Sequence, residues 1–256
     1  MGGAASAHDH GMRRWLGVVV WSMALAPFAV AACSGRPSQT VRGSGHVVTQ
    51  RRSLAPFDRV ELEGEGRLII GPDAPAGVEV RTDDNLLGLV HTDVVDGRLV
   101  IGIRPSSDLE PSDGLTYRVS CDRLSELRLS GSGAIEARNC PASDLIVRLD
   151  GSGTVRVEGV DATRLDAQIG GSGMIRAVGQ SHHVNATVGG SGTFDGNELR
   201  ARDVKAAIPG SGQVIVWATD TLDVDISGSG SVSYRGRPAV TQAISGSGAV
   251  TPRNDG

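Results

Sequence analysis

Val147-Arg148-Leu149-Asp150-Gly151-Ser152-Gly153-Thr154-Val155-Arg156-Val157 is the stretch that decides the fold. Apolar and polar residues alternate on both sides of a Gly-Ser-Gly tripeptide. Period-two alternation marks a strand with one buried face, so the stretch predicts strand, corner, strand. The tripeptide recurs in phase at Gly131-Ser132-Gly133, Gly151-Ser152-Gly153, Gly171-Ser172-Gly173, Gly190-Ser191-Gly192, Gly210-Ser211-Gly212, Gly228-Ser229-Gly230 and Gly246-Ser247-Gly248, at spacings of 20, 20, 19, 20, 18 and 18 residues. The same alternation flanks the other copies, as in Leu127 and Leu129, Ala167 and Ile169, or Val214 and Val216. A flexible Gly/Ser linker has no such flanks.

A repeat of about 20 residues is too small to offset its own ordering entropy with the few aliphatic side chains it buries. It is stable only when each copy pairs with the next, which is the logic of a solenoid. Coils then stack ~4.8 Å apart and equivalent residues form columns. The motif serines form one such column, and the glycines suit a corner that needs positive φ or close backbone approach. The segment between copies, such as Glu158-Gly159-Val160-Asp161-Ala162, reads as a polar connection. A calcium-binding nonapeptide roll is excluded, because no aspartate follows the tripeptide at a fixed offset. A hexapeptide sub-period is also missing.

The remaining composition agrees. Aromatic residues make up 3% of the chain while glycine reaches 36 residues, so the core rests on Val, Ile, Leu and Ala in thin layers. The formal net charge is -4 without a basic block, which excludes the electrostatic footprint of a nucleic-acid binder.

The first 32 residues read as a secretory signal peptide. Arg13 and Arg14 precede an apolar run from Trp15 to Val30, which is interrupted at Ser22 and Pro27 and too short for a membrane span. Val30-Ala31-Ala32-Cys33 resembles the lipobox of bacterial lipoproteins, which implies an acylated Cys33 at the mature N-terminus. The mature chain then carries 23 basic and 28 acidic residues. Residues 33–45 are expected to be the lipidated cysteine and a flexible tether, 46–250 the solenoid, and 251–256 a disordered tail. Within the solenoid, 46–120 is expected to hold irregular N-terminal coils or a cap, and 121–250 the Gly-Ser-Gly coils. Arg59 to Leu62, Leu68 to Ile70, Val78 to Arg81 and Leu99 to Ile103 read as strands, and Asp84 to Leu89 as a short helical turn.

The repeats Leu222 to Gly230 and Ala243 to Gly248 carry a particular form, L-x-V-x-I-S-G-S-G. They are preceded by Phe57-Asp58-Arg59-Val60-Glu61-Leu62, Asp83-Asp84-Asn85-Leu86-Leu87 and Asp96-Gly97-Arg98-Leu99-Val100-Ile101. In these features the chain resembles the bacterial auto-transporter adhesin head GIN domain family, from about residue 43 to 250. The resemblance implies an all-β, single-stranded, right-handed parallel β-helix with coils of about 18–20 residues. Gly64-Glu65-Gly66 then reads as an earlier coil in which Glu replaces the motif serine.

Chemistry is sparsely signalled. His182 and His183 are adjacent, a spacing that sends strand neighbours to opposite faces, and no ligand cluster accompanies them. Asp220, Asp223 and Asp225 lie around one strand. Paired carboxylates can hydrolyse glycosides, but an outer strand face is charged in any case. No nucleophile elbow, phosphate loop or dinucleotide fingerprint is present. No cofactor, metal site or catalytic residue is expected. The expected function is a lipid-anchored, non-catalytic, adhesin-like module of the cell envelope, facing the periplasm or the exterior from the cell or outer membrane. Its expected partners are that membrane and a glycan or protein on flat β-faces. The alternative is a polysaccharide-processing envelope enzyme. Cys121 and Cys140 lie 10 and 11 residues before their corners, in nearly the same phase of consecutive coils. They are candidates for a disulfide, since stacked positions lie within its Cα reach. The alternative is two buried thiols.

Overall fold

The computed structural model describes residues 39–105 and 107–253. Cys33 and the proposed signal peptide lie outside them. Among the described residues no helix is long and apolar enough to cross a membrane.

Parallel strands stack in register. Glu126–Gly131 pairs with Asp144–Gly151, Leu127 lying on Val147 and Leu129 on Leu149. Thr154–Ile169, Met174–Val188, Thr193–Ile208 and Gln213–Ile226 continue the stack. At each corner the backbone N–H of the motif serine donates to the carbonyl of the first motif residue one coil earlier, as in Ser152 to Gly131 at 3.1 Å and Ser172 to Gly151 at 3.0 Å. The column begins at Gly64-Glu65-Gly66, since Ser132 donates to Gly64 and Gly131 lies in register with Gly64. That degenerate tripeptide therefore builds a true coil. Gly43-Ser44-Gly45 has the same composition as the motif but not its place. It forms a loop, where the Gly45 N–H donates to Asp83 at 2.7 Å and the Ser44 N–H to Asn85 at 2.9 Å.

The corner glycines are required mainly for closeness. Gly131 and Gly151 have positive φ, 138° and 150°. From Gly171 onward that conformation is not used. A Cβ on Gly171 would instead lie against the Gly151 carbonyl, and one on Gly190 against the Gly171 carbonyl, nearer than real Cβ atoms come.

The segment between copies differs from expectation. Glu158 to Ala162 is strand, not a polar loop, with Val160 and Ala162 turned into the core. Alternation lapses at Glu158-Gly159 and again at Thr163-Arg164, where consecutive residues stay outside. Each such lapse is a bend, so a coil has three inward runs: Val155 and Val157, then Val160 and Ala162, then Leu165, Ala167 and Ile169.

Residues 39–120 combine one coil with a mixed cap. Arg59–Gly64 and Arg67–Ile70 lie under the repeat strands and above Arg98–Ile103 and Thr116–Val119. Below these the pairing becomes antiparallel, with Val90–Val95 on Arg98–Ile103, Val78–Asp83 on Thr116–Val119, and Val47–Arg52 on Val78–Asp83. The Arg52 guanidinium closes this end by donating to the carbonyls of Val90 and Leu87, each at 2.9 Å. The helical turn is a 3-10 turn at Leu87–Leu89. Two boundaries move. Gln39–Arg42 is a strand paired with Ser107–Glu110, so the span expected as tether is ordered from Gln39. Ala249–Pro252 pairs with Ser231–Tyr234, so the span expected as tail holds strand residues through Pro252.

Candidate functional site

The third side of the coil is the short one, and its inward column is built from small residues. Ala162, Ser181, Ala201 and Ala218 lie in register on successive coils. The Ser181 hydroxyl is satisfied by the His183 carbonyl at 3.0 Å. Small side chains let the backbone sink here, and a groove of ~430 Å³ runs along the stack across these coils. A second hollow of ~520 Å³ shares Ala142, Ser143 and Asp161 with it and extends the groove toward Asp122 and Arg123.

One rim is the column Asp161, Gln180 and Arg200, with Trp217 next in register beyond the groove. Gln180 donates to Asp161 at 3.0 Å. The Arg235 guanidinium lies 3.8 Å from the Trp217 ring centre, and Arg200 is the register neighbour on the other side. On the other rim Arg202 pairs with Asp220 at 3.1 Å. The Thr219 hydroxyl and then Arg202 hold the Asp220 carboxyl below the usual carboxylate range, so it stays ionised at neutral pH. Outside the groove most outward arginines are matched. Arg128 reaches Glu61 and Asp150, Arg138 reaches Glu136 and Glu158, and Arg176 reaches Asp195 and Glu198. Arg123 and Arg200 line the groove without a carboxylate in ion-pair distance among the described residues.

Cys121 and Cys140 are joined by a disulfide, with Cα atoms 5.8 Å apart. Cys140 lines the second hollow, so the bridge forms one end of the groove. The histidines are brought together at a bend rather than sent to opposite faces. Both are outside; His182 lines the groove, and His183 lies 3.3 Å from Asp203. The three aspartates are not brought together as a site. Asp220 is in the groove, whereas Asp223 and Asp225 are exposed on a flat face, Asp223 4.0 Å from Lys205. Among the described residues no group of three His, Cys, Asp or Glu side chains could hold a metal ion. The motif serines are exposed at the corner, away from the groove.

The sequence carries a signal for Arg200 that is easily missed, and none of this kind for Trp217. Ala162, Ser181 and Ala201 each lie nine residues before a corner glycine, and the residue before each is the rim residue.

Stacked coils with a polar groove across them define a β-solenoid protein with an extended surface groove. The model of the family described as "putative auto-transporter adhesin, head GIN domain" matches residues 56–238, and the chain belongs to that family. A putative adhesin from Bacteroides fragilis is 21% identical, with a TM-score of 0.78 over 83% of this chain and 100% of that one. A putative lipid binding protein from Parabacteroides distasonis is 25% identical, with a TM-score of 0.68 over 84% of this chain and 100% of that one. A putative adhesin from the same species is 23% identical, with a TM-score of 0.67 and the same coverage. Comparison with curated proteins gives no match.

Proposed function

We propose that the chain is a lipid-anchored, non-catalytic binding module of the cell envelope that holds an acidic polysaccharide along its groove. The observation that carries this reading is the pair Arg123 and Arg200, neither with a carboxylate in ion-pair distance among the described residues, on a groove that crosses successive coils. A linear glycan offers repeating units comparable in length to the ~4.8 Å coil step, and carboxylated units would meet the guanidiniums with charge-assisted hydrogen bonds. Trp217 adds an aromatic surface beside Arg200. The relative named as lipid binding raises a second ligand class, but hydrogen-bonding side chains predominate on the groove rims, which favours hydroxylated units over acyl chains.

The enzymatic alternative is weakened by distance and charge. Asp161 and Asp220 are three coil steps apart, about 14 Å, beyond the roughly 6.5–9.5 Å of an inverting pair. Asp220, kept ionised, is also unsuited to act as a general acid.

The test is a glycan array with the Cys33→Ser chain, with anionic vesicles as a separate arm. Retention of uronic-acid polymers is expected, weakened roughly tenfold, about 1.4 kcal/mol, in Arg200→Ala. Binding of vesicles alone, or retention unaffected by Arg200→Ala and Arg123→Ala together, would overturn the reading.

A further inference from the structure

The groove carries its charges at intervals rather than evenly. Glu126, Ile146, Asp166, Asn185 and Lys205 stand in register on five successive coils. Counted on that column, Arg123 belongs to the first coil and Arg200 to the fifth, four steps or ~19 Å along the axis. Between them one rim presents Ser143, Thr163 and His182, and the other presents Asp161 and Gln180. Among the described residues no arginine or lysine lines the groove on these three intervening coils. Asp161 stands on the middle one, exposed, and the bond it accepts comes from the neutral Gln180 amide at 3.0 Å. The other two groove carboxylates each have a guanidinium as neighbour: Asp122 adjoins Arg123 in the chain, and Asp220 pairs with Arg202. Read along the axis, the groove therefore offers a cation, an isolated anion and a second cation, with hydroxyl, amide and imidazole groups between.

We infer, on the reading of the groove as a glycan site, that it selects a chain whose carboxylates are about four sugars apart, and that Asp161 enforces the spacing. Sugars laid along the groove at about the coil step put the first and the fifth at Arg123 and Arg200. Only a fragment of at least about five units engages both guanidiniums, and its second contact is then made within one complex, at high effective concentration. A sugar over the middle coil meets the Asp161 carboxylate. A neutral sugar donates its hydroxyls there. A uronate instead sets a second anion against the first, and like charges at contact repel. Selection thus has an attractive and a repulsive element: the arginines hold an acidic chain of sufficient length, and Asp161 turns away one that is charged at every unit. An arginine on each coil would have suited a homopolymer.

Titration calorimetry of the Cys33→Ser chain tests this with two probes: deacylated gellan fragments, which carry one glucuronate in every four sugars, and oligogalacturonates, which carry a carboxylate on every sugar. A gellan fragment of two repeats is expected to bind at least about tenfold more tightly than a single repeat, and Arg123→Ala is expected to abolish most of that gain. An oligogalacturonate of the same length is expected to bind more weakly than the two-repeat fragment. Asp161→Asn keeps the side-chain shape and an acceptor for Gln180 at an exposed position. It is expected to strengthen oligogalacturonate binding about fivefold and to leave gellan binding unchanged. Equal affinity for one and two gellan repeats, or oligogalacturonate binding indifferent to Asp161→Asn, would overturn the spacing while leaving the glycan reading of the groove intact. Failure of both probes to bind would overturn that reading and the spacing with it.

Discussion

The Asp83 carboxylate accepts two hydrogen bonds from Ser112, one from its hydroxyl at 2.7 Å and one from its backbone N–H at 2.8 Å. It also accepts the Gly45 N–H. One buried side chain thus joins the loop after the first strand to the strand Val78–Asp83 and to the turn at Ser112. The Ser112 bonds, hydroxyl first and backbone second, lower its pKa below the ordinary value. A depressed carboxylate pKa gives stability that is fully present above the unfolded value of ~3.9 and is lost as the pH falls through the lower folded value. Thermal melts from neutral to acid pH are expected to show a steeper acid loss for the native chain than for Asp83→Asn. The variant should already melt several degrees lower at neutral pH. Parallel pH profiles would show that Asp83 does not contribute this way.

The corner column makes a sharp comparison possible. In Gly171→Val the new side chain has no space, because the Gly151 carbonyl already occupies the Cβ position, and backbone cannot move without breaking the ladder. The loss is expected to exceed about 4 kcal/mol, the range of exceptional substitutions. Ser172→Ala removes an exposed hydroxyl and should cost no more than about 0.5 kcal/mol. Denaturant melts of the two variants decide it: similar losses would contradict the close-approach account.

Much of the stack was legible because a corner needs glycine twice in three residues and strands need alternation, and both leave a mark at constant spacing. The same logic recovered Gly64-Glu65-Gly66, where the glycines persist and the exposed middle position is free to vary. Two things were hidden. The third side looks polar in sequence because it turns only Val160 and Ala162 inward, too few to show a period. The groove depends on residues related only across coils: aligning the copies by their corners brings Asp161, Gln180 and Arg200 together, but sets Arg200 opposite Ala218, and a register shift in the ladder makes Trp217 its partner instead. Gly43-Ser44-Gly45 shows the converse, since its composition matches the motif but its partners Asp83 and Asn85 make it a loop.

Tyr117 is fully buried with its hydroxyl unpartnered, and burial pushes its pKa up, with Arg52 opposing. An unpaired buried hydroxyl costs its desolvation without return. Tyr117→Phe keeps the ring and is expected to leave the melting temperature unchanged or raise it. A loss above about 1 kcal/mol would reveal a partner for the hydroxyl.

Cys33 follows Val30-Ala31-Ala32, and acylation there is expected to hold the protein on membranes. Two or more acyl chains anchor stably, each buried methylene contributing roughly 0.8 kcal/mol. Cys33→Ser should move the protein to the soluble fraction and remove the lipid mass. Unchanged mass and fractionation would exclude lipidation at this position.

The Cys121–Cys140 bridge ties two consecutive coils at the end of the groove, where the chain also leaves its regular ladder at Asn139, a non-glycine residue with φ of 51°. A sequence separation of 19 residues corresponds to a loop-closure stabilisation of roughly 3 kcal/mol in the chain-entropy model. Cys121→Ala with Cys140→Ala is expected to lower stability by about that amount while the stacked coils from Thr154 onward, which do not depend on the bridge, remain folded. Hydrogen exchange should therefore quicken first around Asp122 and Asn139, and ligand retention in the groove should fall with it. Thiol labelling of the denatured, unreduced Cys33→Ser chain is the direct check. No reactive thiol is expected, and two would rule the bridge out.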